Sequence, residues 1–163
     1  MKISIVGPGA MGCLLAAFLS KTKEEIWILD YKKERAELIN KKGIAIEGIS
    51  GNWQAKVKAT CTAKEIGVSD LVIICVKSYD TKKASAQAKG LISEKSTVLT
   101  LQNGIGNIET ISEAIGEDRV IAGITSHGAT LTQEARVRHA GKGETLIGRL
   151  DTKITPDMRL IRE

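Results

Sequence analysis

Three residues with side chains suited to polar chemistry each follow an apolar run of strand length. Lys77 follows Leu71-Val72-Ile73-Ile74-Cys75-Val76, Asn103 comes two positions after Thr97-Val98-Leu99-Thr100-Leu101, and His127 comes shortly after Val120-Ile121-Ala122-Gly123-Ile124. In an open α/β sheet, ligands gather at the carboxyl ends of the strands. An ammonium there donates to cofactor or substrate oxygens, or is a solvated loop lysine. A carboxamide both donates and accepts, which suits another carboxamide, a sugar or a substrate hydroxyl; Asn103-Gly104 is equally a turn pair. An imidazole near neutrality can serve as acid or base, and a lone one in a loop can also be structural. The remaining His, Cys and carboxylates show no metal-ligand spacing, so no metal is expected.

A fourth loop carries a more specific pattern. Lys2-Ile3-Ser4-Ile5-Val6 runs into Gly7-Pro8-Gly9-Ala10-Met11-Gly12, a short strand followed by G-x-G-x-x-G and a helical stretch to Ser20. Gly7 allows the tight turn, Gly9 leaves room for a pyrophosphate, and Gly12 lets the helix pack close on its strand. The unpaired N–H groups and positive dipole end of that helix suit an anionic diphosphate. Asp30 closes the next apolar run, Ile26-Trp27-Ile28-Leu29, where a carboxylate would accept hydrogen bonds from adenosine ribose hydroxyls. Strand, glycines, helix and acid together point to dinucleotide binding.

The elements needed to position these loops follow from periodicity. Strands are expected over 2–6, 26–30, 71–76, 97–101 and 120–124, and helices over 10–20, 33–42, 81–89, 108–115 and 155–163. Alternating apolar residues at 44–46 and 55–59 read as a small hairpin. Short strands are expected at 129–131, 135–139 and 144–147, with Gly141 and Gly143 turning between the last two. The order predicts one domain over 1–163, an α/β Rossmann-type fold with a doubly wound, mostly parallel sheet. The final helix stops without a following strand, as in a piece of something longer.

Composition narrows the class. The chain has 163 residues, 42% of them hydrophobic and only 3% aromatic, so its core is aliphatic. A net charge of +5 spread along the chain, with few rings to stack on bases, argues against nucleic acid and suits an anionic cofactor and an acidic substrate. Cys13, Cys61 and Cys75 are odd in number and match no metal signature, which fits a reducing cytoplasm. Neither a signal peptide nor a membrane span is expected.

At these loops the chain resembles the ketopantoate reductase (2-dehydropantoate 2-reductase) family. The matching segments are Gly7 to Gly12, Val76-Lys77-Ser78-Tyr79-Asp80-Thr81, Leu101-Gln102-Asn103-Gly104-Ile105-Gly106-Asn107, Gly123 to Ala129, and the meander from Val137 to Gly148. The resemblance implies NADPH-dependent reduction of 2-dehydropantoate to pantoate in pantothenate and coenzyme A synthesis. It implies Gly7, Pro8, Gly9, Ala10, Met11, Gly12, Lys77, Asn103 and Ala129 beside the cofactor, with Asn103 also touching substrate. Family members commonly carry a basic residue where this chain has Asp30. Lys32, Lys33 or Arg35 could supply the clamp for a 2′-phosphate, so NADP is expected from the resemblance and NAD from Asp30. The family's helical C-terminal domain, which brings a proton-donating lysine, is absent from this chain. The expected partner is a small-molecule substrate, and a homodimer is compatible with this reading. Two alternatives stay open: an oxidoreductase of the same plan acting on another 2-keto or hydroxy acid, and an NAD(H)-sensing regulatory module.

Overall fold

Apolar strands alternate with helices through most of the chain, and the order in which they assemble decides where the loops meet. The computed structural model describes residues 1–162. The first βα units are β1 (Lys2–Val6), α1 (Ala10–Leu19), β2 (Glu25–Leu29) and α2 (Lys33–Lys42). Next come β3 (Ile44–Gly48), β4 (Trp53–Ala55), β5 (Lys58–Thr60) and α3 (Ala63–Ile66). They are followed by β6 (Leu71–Ile74), α4 (Thr81–Ala88), β7 (Thr97–Thr100), α5 (Asn107–Ile115) and β8 (Val120–Thr125). The chain continues through β9 (Gly128–Gln133), β10 (Arg136–Gly141), β11 (Thr145–Arg149) and α6 (Pro156–Arg162). Glu163, the last residue of the expected final helix, lies outside the described residues.

Seven strands form the main sheet in the order β11-β8-β7-β6-β1-β2-β5. All pairs in it are parallel except β8 with β11. From β1 the chain moves outward to β2 and then returns to place β6 on the other side of β1. Loops after β1 and β6 therefore diverge, which opens a crevice at the carboxyl edge.

A second sheet, β4-β3-β10-β9, contains the expected hairpin as β3–β4, with a second strand of different bounds. Trp53 and Ala55 pair antiparallel with Ile46 and Ile44, but Lys58 to Thr60 leave this sheet and pair parallel with Trp27 to Leu29. Residues 55–59 are thus not one strand. The free edge of β2 takes up the second part, and the Asn40 side chain then brackets β5. Asn40 Nδ2 donates to the Ala59 carbonyl at 2.7 Å, and its Oδ1 accepts the Ala59 N–H at 2.8 Å. A side-chain amide so covers an edge that would otherwise be open to pairing. The Gly141–Gly143 region is likewise not a hairpin turn, because β10 belongs to the small sheet and β11 to the main one.

Period-two alternation sorts the strand residues onto two faces. Ile5, Ile28, Ile73, Leu99 and Ile121 pack on the α1 side, together with Ile44, Ile46 and Val137 of the small sheet. Val6, Val72, Ile74, Val98 and Val120 pack on the other side against Ala84, Leu91, Ile111 and Ile115. Helix α1 lies between the two sheets, which is why Cys13, Leu14, Ala16 and Ala17 are all fully buried. Among the described residues no helix is long and apolar enough to cross a membrane.

This sandwich makes Leu14 a sensitive probe. Leu14→Ala should cost about 2–5 kcal/mol through lost burial and a residual cavity. Urea unfolding followed by circular dichroism measures it. A loss below about 1 kcal/mol would show that α1 is not covered on both sides.

Candidate functional site

Five loops leave the carboxyl ends of β2, β1, β6, β7 and β8 and lie side by side in the order of the sheet. Together they line one cleft of about 580 Å³. Tyr31 and Arg35 stand at the β2 end, residues 7–11 and Val76 to Asp80 in the middle, and Leu101 to Asn103, Thr125 and His127 to Ala129 at the β7–β8 end. Of the sequence-derived candidates, Gly7, Pro8, Gly9, Ala10, Met11, Lys77, Asn103, His127 and Ala129 line it. Gly12, Asp30 and Lys32 do not.

The glycines divide by role. Gly7 has φ +95°, and a Cβ there would sit 2.5 Å from Val76 Cγ1. A Cβ at Gly12 would lie 2.2 Å from the Gly7 carbonyl oxygen. These two are needed by the fold itself. Gly9, at the start of α1, has an ordinary φ of −73°. A Cβ on it would meet only the Cys75 carbonyl, at 3.9 Å. The protein has room for a side chain at Gly9, and that room is the cleft. With no side-chain cap on α1, the first-turn N–H groups are left for an anion. A diphosphate group fits this cradle.

Lys77 and Asn103 are exposed at the mouth, on loops tied together by a network that the sequence reading missed. Gln102 Nε2 donates to the Val76 carbonyl at 2.8 Å and to Thr81 Oγ1 at 2.9 Å. Gln102 Oε1 accepts from Thr100 Oγ1 at 3.0 Å. Thr81 in turn donates to Asn107 Oδ1 at 2.8 Å, and Asn107 Nδ2 donates to the Asn103 carbonyl at 3.0 Å. The signal was present as Gln102 and Asn107 flanking the Asn103-Gly104 turn, but spacing could not show that their amides face Thr81.

Asp30, expected as a free acid at the strand end, is buried and paired. It is 1% exposed, and its carboxylate grips Arg35 in a two-pronged pair, Nε to Oδ2 and Nη2 to Oδ1, each 2.5 Å. Its Oδ1 also accepts the N–H groups of Tyr31 and Lys32, at 2.7 and 3.1 Å. The pairing raises the Arg35 pKa still further. Arg35 reaches the cleft instead, its guanidinium 5.4 Å from the centre of the exposed Tyr31 ring. Lys83 stands 5.5 Å and Lys32 5.9 Å from the same ring. Lys32 also faces Glu134 at 3.7 Å. A cationic platform built on one aromatic ring therefore marks the β2 end.

At the opposite end, His127 Nδ1 lies 3.0 Å from Nε2 of His139. Burial holds the His127 pKa below its ordinary value, with smaller pushes from His139 and Lys142. Burial also raises the Cys75 and Cys13 thiols to about 12, so neither is an ionised nucleophile at neutral pH.

Gln102→Leu should loosen the β6 and β7 loops together. It leaves the Val76 carbonyl and Thr81 without their donor, a loss of about 1–3 kcal/mol. Amide exchange at residues 76–81 and 103–107 should accelerate in the variant. Unchanged exchange in both loops would show that they are held independently.

The family model described as ketopantoate reductase PanE/ApbA matches residues 3–152. A 2-dehydropantoate 2-reductase of Pyrococcus horikoshii is 42% identical over 148 residues, covering 91% of this chain and 47% of that protein. The crystal structure of a 2-dehydropantoate 2-reductase from Geobacter metallireducens superposes with a TM-score of 0.90 at 28% identity, covering 99% of this chain and 53% of that one. A D-mandelate dehydrogenase solved with NADH and anilino(oxo)acetate superposes at 0.84 with 27% identity, over 92% of this chain and 49% of that one. The chain thus spans about half the length of the relatives it matches. With the glycine turn, the Lys77 and Asn103 loops and the β9–β10 meander all inside the matched region, the chain belongs to the ketopantoate reductase family of oxidoreductases.

Proposed function

We propose that this chain is the dinucleotide-binding half of a cytoplasmic NADPH-dependent reductase that converts 2-dehydropantoate to pantoate. The observation that carries the reading is that the open Gly9 cradle, Lys77 and Asn103 line the same cleft. In this reading residues 7–12 and the first turn of α1 hold the pyrophosphate. Asp30 takes no ribose hydroxyl and serves to fix Arg35. Arg35, Lys83 and Lys32 around Tyr31 provide positive charge for a 2′-phosphate, the feature that favours NADP over NAD. Lys77, Asn103 and Ala129 border the nicotinamide end, and Asn103 also meets the substrate. When bound, the reduced cofactor supplies the hydride. In this reading the proton donor and most substrate contacts lie outside this chain, as the family resemblance implies. Three free cysteines among the described residues suit a reducing compartment.

A second reading is NADH-dependent reduction of another 2-keto acid, favoured by the likeness to the D-mandelate dehydrogenase solved with NADH.

Titration calorimetry separates these readings. Gly9→Val should abolish dinucleotide binding with its melting temperature nearly unchanged, because the side chain fills only the cleft. Unchanged affinity in the folded variant would remove the cradle from the reading. NADPH should bind more tightly than NADH, and Lys83→Ala should weaken NADPH several-fold while sparing NADH. Tighter NADH binding would favour the second reading.

Turnover tests the division of labour. On its own the 163-residue chain should reduce 2-dehydropantoate at least about 100-fold more slowly than a full-length relative, since general acid catalysis alone contributes about 10²–10⁴-fold. Comparable rates of NADPH oxidation would place the proton donor within this chain.

A further inference from the structure

Two histidines and a serine form one hydrogen-bonded line behind the β8 end of the cleft. Nδ1 of His127 lies 3.0 Å from Nε2 of His139. Nδ1 of His139 is hydrogen-bonded to Ser50 Oγ. The three come from distant parts of the chain: Ser50 from the turn between β3 and β4, His139 from β10, and His127 from between β8 and β9. His139 is only 2% exposed, and Phe18 of α1 packs edge-on against both imidazoles, its ring centre 5.3 Å from His139 and 6.2 Å from His127. Among the described residues, the one ring nitrogen of this line with no hydrogen-bond partner is Nε2 of His127, on the residue that lines the cleft.

One proton lies between the two rings, so their tautomers are coupled. When His139 donates from Nε2, its Nδ1 accepts from the Ser50 hydroxyl, and a neutral His127 carries its N–H on Nε2. In the opposite order the Ser50 oxygen accepts from His139, and Nε2 of His127 is a bare acceptor. A hydroxyl can serve either way, so the line adapts as a unit to whatever meets Nε2.

We propose that His127 contacts ligand, hydrogen-bonding through Nε2 to an uncharged carbonyl, amide or hydroxyl group at the β8 end of the cleft, with His139 and Ser50 as positioning residues that act through it. The proposal rests on the dinucleotide reading above. The sheet order supplies its location. The cationic platform stands at β2 and the diphosphate cradle at β1, so a dinucleotide laid along the edge brings its carboxamide-bearing end to β7 and β8. Two groups of that chemistry can occur there, the carboxamide of the nicotinamide and the carbonyl or hydroxyl of a substrate. A neutral imidazole held by a second imidazole suits either one, and suits a phosphate poorly.

Calorimetry on the 163-residue chain at pH 7.5 distinguishes the sources, using NADPH, 2′-phospho-ADP-ribose (which lacks nicotinamide) and pantoate, the last added to the NADP-loaded chain at high millimolar concentration because most substrate contacts lie outside this chain. If the carboxamide is the partner, His127→Ala should weaken NADPH by about three- to tenfold, the worth of one neutral hydrogen bond, and leave 2′-phospho-ADP-ribose unchanged. If substrate is the partner, NADPH and 2′-phospho-ADP-ribose are unaffected and the weak pantoate binding falls instead. Affinities unchanged in every arm, or an equal fall for NADPH and 2′-phospho-ADP-ribose, would overturn the proposal. Nitrogen-15 spectra of the imidazoles test the positioning role. Ser50→Ala should change the His127 tautomer ratio and its shift on adding NADPH, and Ser50→Thr should restore both. A His127 signal indifferent to Ser50→Ala in the folded variant would sink that part. Failure of the wild-type chain to bind any dinucleotide is a separate result, and it would remove the parent reading and this inference with it.

Discussion

Gly12 lies so close to the Gly7 carbonyl that a Cβ would sit 2.2 Å from its oxygen. This approach lays α1 against the main sheet and aims its N-terminus at the carboxyl edge. Gly7 in turn abuts Val76, so the β1 and β6 loops leave the sheet in contact and then separate. The cleft opens where they part. With α1 low on the sheet, its outer face stays apolar and needs a cover. The small sheet supplies Ile44, Ile46 and Val137 for that purpose. The same cover carries His139 to His127. One backbone contact therefore orders the cradle, the covering sheet and the histidine pair.

The cleft is electrically graded along its length. At the β2 end three cations surround Tyr31, and one of them is pinned by a carboxylate buried for that purpose. A charge as deep as Asp30 is tolerable because its oxygens are satisfied by a guanidinium and two backbone N–H groups. In the middle, the open first turn of α1 offers partial positive charge. At the β8 end burial keeps His127 from taking up a proton readily. An elongated ligand with its anionic groups at one end and an uncharged ring system at the other matches this gradient in only one direction.

Side-chain amides tie the loops to one another. Gln102 and Asn107 join the β6 and β7 loops through Thr81, which leaves Lys77 and Asn103 exposed yet anchored by their neighbours. Exposed functional groups lose less freedom on binding when the backbone beneath them is already held.

Much of this was legible along the chain. Glycine spacing, strand-length apolar runs and the positions just beyond them follow from local sterics and from period-two burial, which act over a few residues. Hence the Rossmann-type alternation, the glycine cradle and the places of Lys77, Asn103 and His127 at strand ends could be read from the sequence. What could not be read depends on contacts between distant segments. The break between Ala55 and Lys58 was decided by the unpaired edge of β2, and the separate small sheet by the need to cover α1. The role of Asp30 turned on Arg35 folding back to it, whereas spacing alone made it a free strand-end acid. The pairing of His127 with His139 required β9 and β10 to lie antiparallel over α1, and no local pattern encodes that register. Sequence determined which groups are available at the edge of the sheet; tertiary structure decided which of them are spent on one another, because hydrogen bonds and ion pairs are made by proximity in space.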